Sequence, residues 1–105
     1  MNIDLNVARR IRDDLYTEMN ERSPRIFNSH EFIERYIRGR EQQQEYIEAL
    51  FEYRDRGDAF QTVHRIMGRF LADHHLELQI NDVGVNKNLN VFGNLTDIHE
   101  WEFTD

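Results

Sequence analysis

The five histidines are the residues of this chain best suited to metal binding or proton transfer, because the chain contains no cysteine. His64 and His75 are eleven residues apart, so along one helix their Cα atoms would be about 16 Å apart and could not share a metal. No two histidines have the four-residue spacing that places imidazoles on one helical face. A site built from His30, His74 and His99 would need tertiary contact between distant segments. The sequence therefore predicts no metal and no cofactor.

Nucleophile motifs give no support to catalysis either. Serine occurs only at Ser23 and Ser29, and both lie near predicted helix starts, where they serve in capping or turns. The chain contains no nucleophile elbow, P-loop or dinucleotide-binding glycine motif. Acidic pairs such as Glu100 and Glu102 are expected to be exposed, where a carboxylate has little leverage as a general acid or base. We therefore expect no catalytic residues and no enzymatic activity.

The charge distribution narrows the choice of partner. The net charge is −7, from 13 basic and 20 acidic residues. Residues 1–57 hold ten basic and twelve acidic residues, whereas residues 58–105 hold three and eight, a net of −5. An acidic surface repels nucleic-acid phosphates and anionic lipids but suits a basic protein surface. We therefore expect a protein partner of unknown identity, and neither nucleic acid nor a membrane.

Targeting signals are not evident in the sequence. The first fourteen residues lack the apolar segment of a signal peptide. No run approaches the roughly 20 apolar residues that span a bilayer. Together with the absence of cysteine, these features predict a cytoplasmic protein.

Apolar periodicity predicts four helices, at roughly 5–22, 29–38, 41–55 and 59–74. The last is the most apolar, and one face of it carries Phe60, Val63, Met67, Phe70, Leu71 and His74. Asp58 is predicted to cap this helix, and Asn28 with Glu31 to form a capping box on the second. His74 is expected to be hydrogen-bonded where the fourth helix ends.

From Leu76 the apolar period changes to two, which predicts a strand over 76–80 that continues directly from the helix. The Asn- and Gly-rich segment after it predicts a short strand at 83–85, a turn at 86–88, a strand at 89–92 and a turn at Gly93-Asn94. The last strand is predicted over 98–103, with the face formed by His99, Trp101 and Phe103 on the helices. The sequence thus predicts one α+β domain over 1–105: four helices followed by a small antiparallel sheet at roughly 76–103.

Protein binding is the function that remains after these exclusions. We predict a small, acidic, non-catalytic protein-binding or regulatory module. Its candidate interaction surface comprises Glu77, Asp82, Glu100, Trp101, Glu102 and Phe103. Aromatic side chains are favoured at interfaces, although Trp101 is also expected to pack in the core. A homodimer through the last strand, at a sheet edge, is a further hypothesis.

Two alternatives remain open. An acidic C-terminal sheet is typical of a nucleic-acid-mimicking inhibitor of phage or mobile-element origin. Helices followed by a hairpin also resemble the layout of a winged-helix DNA-binding domain, with Arg65 and Arg69 on the recognition helix and Lys87 in the wing. Three basic residues among eight acidic ones make DNA binding the weaker alternative.

Overall fold

The computed structural model describes residues 1–19, 25–55 and 57–104, which form helices and one small antiparallel sheet. Along the chain the elements are α1 (Leu5–Glu18), β1 (Ile26–Asn28), α2 (Ser29–Tyr36), α3 (Arg40–Glu52), α4 (Ala59–Asp73), β2 (Ile80–Leu89) and β3 (Leu95–Phe103). The predicted α+β arrangement of four helices and an antiparallel sheet is confirmed. The predicted extension of the first helix to residue 22 lies mostly outside the described residues. Among the described residues, no helix has the length and apolar character that a membrane crossing requires.

Local signals account for where the helices begin. Asn28 and Glu31 form the predicted capping box: each side chain accepts a hydrogen bond from the other's backbone N–H, at 2.9 and 3.0 Å. Asp58 caps α4 by accepting a hydrogen bond from the backbone N–H of Gln61 at 3.1 Å. Each cap satisfies a donor that the first turn leaves without an intrahelical partner.

The predicted apolar face of α4 is buried at its centre and uncovered at its start. Val63, Met67 and Leu71 lie in the core beneath the sheet, and each contributes roughly 1.5–3 kcal/mol by burial. Phe60, at the beginning of the same face, is exposed. The helix therefore anchors the core through its middle and last turns.

The strand predicted at 76–80 is wrong except at Ile80. Residues 74–79 form turns that prolong the end of α4. The backbone N–H of Leu78 donates to the carbonyl of His74, and that of Ile80 to the carbonyl of His75, both at 3.0 Å. Leu78 and Ile80 are buried as their alternation predicted, but Leu76 is 77% exposed. The alternation predicted the burial of Leu78 and Ile80 correctly but was wrong about Leu76 and about the backbone geometry, because local helix-type hydrogen bonds replace those of a β-ladder.

A buried arginine on α1 fixes this turn. Arg12 is 5% exposed, and its Nε donates to the carbonyl of Leu78 at 2.9 Å. Its Nη2 donates to the carbonyl of Gln79 at 3.3 Å. The guanidinium also lies over the rings of Tyr16 and Phe103, 5.0 and 4.9 Å from their centroids. Arg12 thus supplies donors to two carbonyls at the end of the turn, and the Gln79 carbonyl also accepts from the backbone N–H of Thr104 at 3.0 Å.

Gln79 has a positive φ of 53°, which an L side chain adopts at a cost. Its side chain is exposed, so little packing depends on it. We expect Gln79→Gly to raise the free energy of unfolding by about 0.5 kcal/mol, since relief of the steric cost outweighs the extra freedom of the unfolded chain. Urea unfolding measures the change. Gln79→Val is the control, and a value at or above that of the glycine variant would contradict the strain.

The sheet has the strand order β1-β3-β2, and both pairings are antiparallel. The sequence analysis missed β1, whose three residues are too few to show an alternation. Over residues 100–102, β3 is bonded to β1 on one side and β2 on the other. Over these residues the last strand is central, whereas in the described part of the chain residues 95–99 pair with β2 alone, so the hypothesis of a homodimer through an edge of this strand stays a prediction.

β2 and β3 form one long hairpin. β2 continues through the predicted turn at 86–88, because these residues pair in register with residues 96–98 of β3. The chain turns instead at 90–94, where Gly93 has a φ of 80° and the Asn90 side chain accepts two backbone N–H bonds. The predicted turn at Gly93-Asn94 is thus confirmed, and the one at 86–88 is wrong despite its turn-forming asparagines.

Candidate functional site: a histidine-lined groove and an apolar hairpin

A groove of about 430 Å³ separates α4 from the hairpin. One wall is a single face of α4, formed by Gln61, Arg65, Gly68, Arg69 and Ala72. The opposite wall is formed by β3 and the start of β2. Because α2 packs against both α4 and β3, its first turn lies at the base of the groove.

Ser29 and Trp101 hold the base together. The Nε1–H of Trp101 donates to Ser29 Oγ at 2.9 Å in a buried hydrogen bond. An indole N–H can only donate, so Ser29 must accept. Gly68 lies beside this pair: a Cβ placed there would be 4.0 Å from Ser29 Oγ, an ordinary van der Waals contact. The expected core role of Trp101 is confirmed.

Ser29→Ala should lower the free energy of unfolding by about 1 kcal/mol, because Trp101 loses its acceptor. The loss stays near the net value of one hydrogen bond, since water from the groove can replace the hydroxyl. Urea unfolding followed by circular dichroism measures it. In a Trp101→Phe background the same substitution should cost much less. An equal cost in both backgrounds would contradict the assigned hydrogen bond.

Two imidazoles meet at the groove and connect the helices to the hairpin tip. The rings of His30 and His64 form a T-shaped contact with centroids 5.1 Å apart. The backbone N–H of Val91 donates to His30 Nδ1 at 3.2 Å, and the Tyr46 hydroxyl lies 2.7 Å from His64 Nε2. Phe92 stacks on His64 with 18° between the ring planes. We call these five residues the histidine cluster. The sequence analysis missed it, because no local spacing reports which histidines meet across helices.

The histidine cluster favours uncharged rings. Burial lowers the pKa of His64 to about 4; neighbouring His30 acts in the same direction, and Asp58 acts against it. Burial also lowers the pKa of His30. Because His30 Nδ1 accepts a hydrogen bond from Val91, it carries a lone pair, and the neutral ring holds its proton on Nε2. Protonating Nδ1 would therefore break the link to the hairpin tip.

The other two histidines of the hypothesised trio lie elsewhere. His74 Nδ1 is 2.6 Å from Glu77 Oε2, which confirms the prediction of a hydrogen-bonded histidine at the end of α4. His99 Nε2 is 2.8 Å from Asp82 Oδ2. His30, His74 and His99 thus do not form one site. Within residues 1–19, 25–55 and 57–104, no group of three or more His, Asp and Glu side chains could hold a metal ion.

Carboxylates along the hairpin wall are already paired. Burial opposes ionisation of Asp82, but the backbone N–H of Gly84 and the imidazole of His99 outweigh it and lower its pKa. Asp97 Oδ1 lies 3.0 Å from Lys87 Nζ. Lys87 therefore balances the charge of Asp97, whereas Asp82 stays ionised and is stabilised by hydrogen bonds.

The predicted interaction surface divides between two faces of the sheet. Trp101 and Phe103 are only 2% and 7% exposed, so they belong to the core and not to a surface, which corrects that part of the prediction. Glu102 is exposed and Glu100 half-buried on the opposite face of β3. Glu77 and Asp82 are exposed, and each contacts a histidine.

The outer half of the hairpin exposes apolar side chains that the sequence analysis did not single out. We define the hairpin patch as Val85, Leu89, Phe92 and Leu95, which are between 54% and 68% exposed. The composition of residues 83–96 could have indicated this surface. Before Leu95 the segment contains five apolar residues larger than alanine, and Lys87 is its only charged residue. An alternating pattern indicates that a strand has two faces, but it does not indicate which side chains of each face are covered by other elements.

No protein-family model matches the chain, and no curated protein or solved structure is significantly similar to it. The functional assignment therefore has to rest on the groove, the histidine cluster and the hairpin patch.

Proposed function

We propose that this chain is a small, acidic, non-catalytic protein-binding or regulatory module of the cytoplasm, which acts through protein–protein contact. The observation that carries this proposal is the exposure of the hairpin patch. Clustered apolar side chains on one projecting element are typical of interaction sites, whereas single exposed apolar residues are ordinary.

The hairpin patch lies on an exposed side of the hairpin. Residues 95, 97, 99, 101 and 103 alternate onto one face of β3. Trp101 and Phe103 are buried on this face, but further along the hairpin His99, Asp97 and Leu95 are exposed while Ile98 is buried. Leu89, directly opposite Leu95 in the register, is exposed as well. A partner would bury this exposed apolar pair.

Charge indicates the kind of partner. The sole charged residue of 83–96, Lys87, is paired with Asp97, so the hairpin patch is nearly neutral. The half of the chain around it carries a net charge of −5. A partner surface with an apolar centre and a basic rim matches both features. A second copy would bring another charge of −7 to the same place, which disfavours the homodimer.

Site-specific crosslinking tests the proposal. Benzoylphenylalanine replaces Leu95 in the hairpin patch or, as the control, Arg10, which is exposed on α1. Irradiation in lysate should give a discrete crosslinked product from position 95 and none from position 10. Wild-type protein without benzoylphenylalanine should compete for the partner and reduce the amount of crosslinked product, and so should the Arg10→Glu variant. The Leu89→Glu variant should not reduce it.

The outcomes separate the alternatives. A product of twice the chain mass would identify a second copy as the partner. If position 95 gave no product, or if Leu89→Glu competed as well as wild type, binding at the hairpin patch would be rejected.

A second candidate uses the outer face of the sheet. Glu100 and Glu102 share that face, and neither has an ion-pair partner in the part of the chain that the structure describes. A nucleic-acid mimic would present such carboxylates to the basic groove of a DNA- or RNA-binding protein. The double variant Glu100→Lys with Glu102→Lys should then abolish partner binding and leave the fold intact; unchanged binding rejects the mimic.

The winged-helix alternative finds less support in the charge arrangement. Of the basic side chains after residue 58, Arg69 is near Asp73 and Lys87 is paired with Asp97. Too few cations remain to neutralise several phosphates of a duplex.

A further inference from the structure

The groove between α4 and the hairpin offers mainly unused hydrogen-bond donors. Ser29 Oγ accepts from Trp101, so its hydroxyl proton is available to another acceptor. His30 Nδ1 is occupied by the N–H of Val91, so the neutral ring keeps an Nε2–H donor. Both residues line the groove, and Ser29 is itself buried.

The α4 wall adds positive charge to these donors. Arg65 lines the groove and has no ion-pair partner among residues 1–19, 25–55 and 57–104. Arg69, one turn later, also lines it and shares its charge with Asp73 at 3.5 Å. A guanidinium can only donate, and it matches the two oxygens of a carboxylate or phosphate.

The opposite wall carries two carboxylates. Asp97 is balanced by Lys87 at 3.0 Å, and Asp82 retains its charge while it is hydrogen-bonded to His99 at 2.8 Å, on the wall opposite Arg65. The Ser29 hydroxyl, the His30 Nε2–H and the Arg65 guanidinium thus offer donors to the groove, beside the Gln61 amide, which can both donate and accept. A ligand that satisfies them must present acceptors and negative charge.

We propose that this groove is a binding site for a small oxyanion-bearing molecule, whose carboxylate or phosphate group lies between Arg65 and the Ser29–His30 turn. The volume of about 430 Å³ is within the range of small-molecule sites and exceeds what a bare anion fills. The site adjoins the hairpin patch, because Phe92 stacks on His64 of the groove lining, but its ligand is a small molecule and not the proposed protein partner.

Substitution of Gly68 can fill the groove with a side chain and leave the other lining residues unchanged. A Cβ at this position meets only Ser29 Oγ, at 4.0 Å, so Gly68→Ala adds an ordinary contact. Gly68→Leu extends the side chain into the groove, because Gly68 lines it. Both replacements also favour the helix, since glycine is a poor helix former. Loss of binding in the leucine variant would therefore not be caused by a weaker α4.

Titration of ¹⁵N-labelled protein at constant ionic strength tests the site with three probes: succinate, inorganic phosphate and the neutral succinamide. At least one of the two anions should shift the amide signals of Ser29, His30, Arg65 and Gly68 saturably by about 50 mM, the range expected of a fragment with a millimolar Kd. Arg65→Gln should weaken binding at least about fivefold, the effect of losing one charge-assisted contact of about 1 kcal/mol. Arg10→Gln, an exposed residue with the same charge change, and Gly68→Ala should keep the wild-type affinity, while Gly68→Leu should abolish binding.

Each outcome decides the proposal. Saturable shifts with succinate alone assign a carboxylate ligand, and shifts with phosphate alone assign a phosphate ligand. The site is rejected if neither anion gives saturable shifts, if succinamide shifts the same signals as strongly as succinate, or if Arg10→Gln weakens binding as much as Arg65→Gln.

Discussion

Arg12→Ala should lower the free energy of unfolding by about 3 kcal/mol, the largest effect we expect from a single charged side chain in this chain. The substitution removes a buried donor to the Leu78 carbonyl at 2.9 Å and leaves that carbonyl beside a cavity; the Gln79 carbonyl loses a contact at 3.3 Å but keeps its hydrogen bond from Thr104. It also removes the planar group that packs on Tyr16 and Phe103. Urea unfolding measures the loss, and amide hydrogen exchange at residues 78–80 should show that protection falls there first.

Two variants control the interpretation. Arg9→Ala changes the same charge on the exposed side of α1 and should stay within about 0.5 kcal/mol of wild type. Arg12→Lys keeps the charge, but a single ammonium cannot reproduce the planar fork, so about half of the loss should persist. If Arg12→Ala cost no more than Arg9→Ala, the arginine would not be what fixes the turn.

Arg12 also explains where sequence reasoning about the fold stopped. The capping box of Asn28 and Glu31 was predictable because its partners are three residues apart and need no tertiary contact. The path of residues 74–79 was not, because the Leu78 carbonyl at its end accepts from a side chain more than sixty residues earlier in the chain. Leu78 and Ile80 alternate and are buried, so their pattern does not distinguish a strand from a turn closed by a distant donor.

The candidate sites were less accessible than the fold. The alternation of Trp101 and Phe103 with Glu100 and Glu102 predicted correctly that the two aromatic side chains are buried. It was wrong for His99, which is exposed, and it did not predict that Ile98 is buried instead. Which side chains of the outer hairpin are covered depends on tertiary contacts that the alternation does not contain.

The contact between His30 and His64 also depends on tertiary packing. Each histidine lies on its own helix, and only the packing of α2 against α4 brings the two rings together. Their shared environment then determines the pKa of each. The groove, the histidine cluster and the hairpin tip are thus joined by contacts that no stretch of local sequence contains.

Lowering the pH from 7 to 4.5 should reduce the free energy of unfolding by about 2 kcal/mol through the histidine cluster. Burial lowers the pKa of His64 to about 4 in the folded protein, against an ordinary value of 6.5. A histidine of lowered pKa stabilises the fold fully above its unfolded pKa, and the contribution is lost as the pH falls through 6.5 towards 4. The full shift is worth more than 3 kcal/mol, and the partial exposure of His64 reduces the expected loss. Urea unfolding at several pH values measures it.

The histidine cluster predicts both the position and the origin of this acid sensitivity. Its titratable neighbours are Tyr46 on α3, His30 on α2 and Asp58 at the start of α4, and only Asp58 favours a charged His64. His64→Gln should therefore flatten the dependence between pH 6.5 and 4.5, whereas His75→Gln, outside the cluster, should retain it. As the pH falls, the backbone amide signals of Val91 and Phe92 should change first. Protonation of His30 breaks its hydrogen bond to the Val91 N–H and releases the hairpin tip. A dependence that survives His64→Gln unchanged would place the acid-sensitive group elsewhere in the chain.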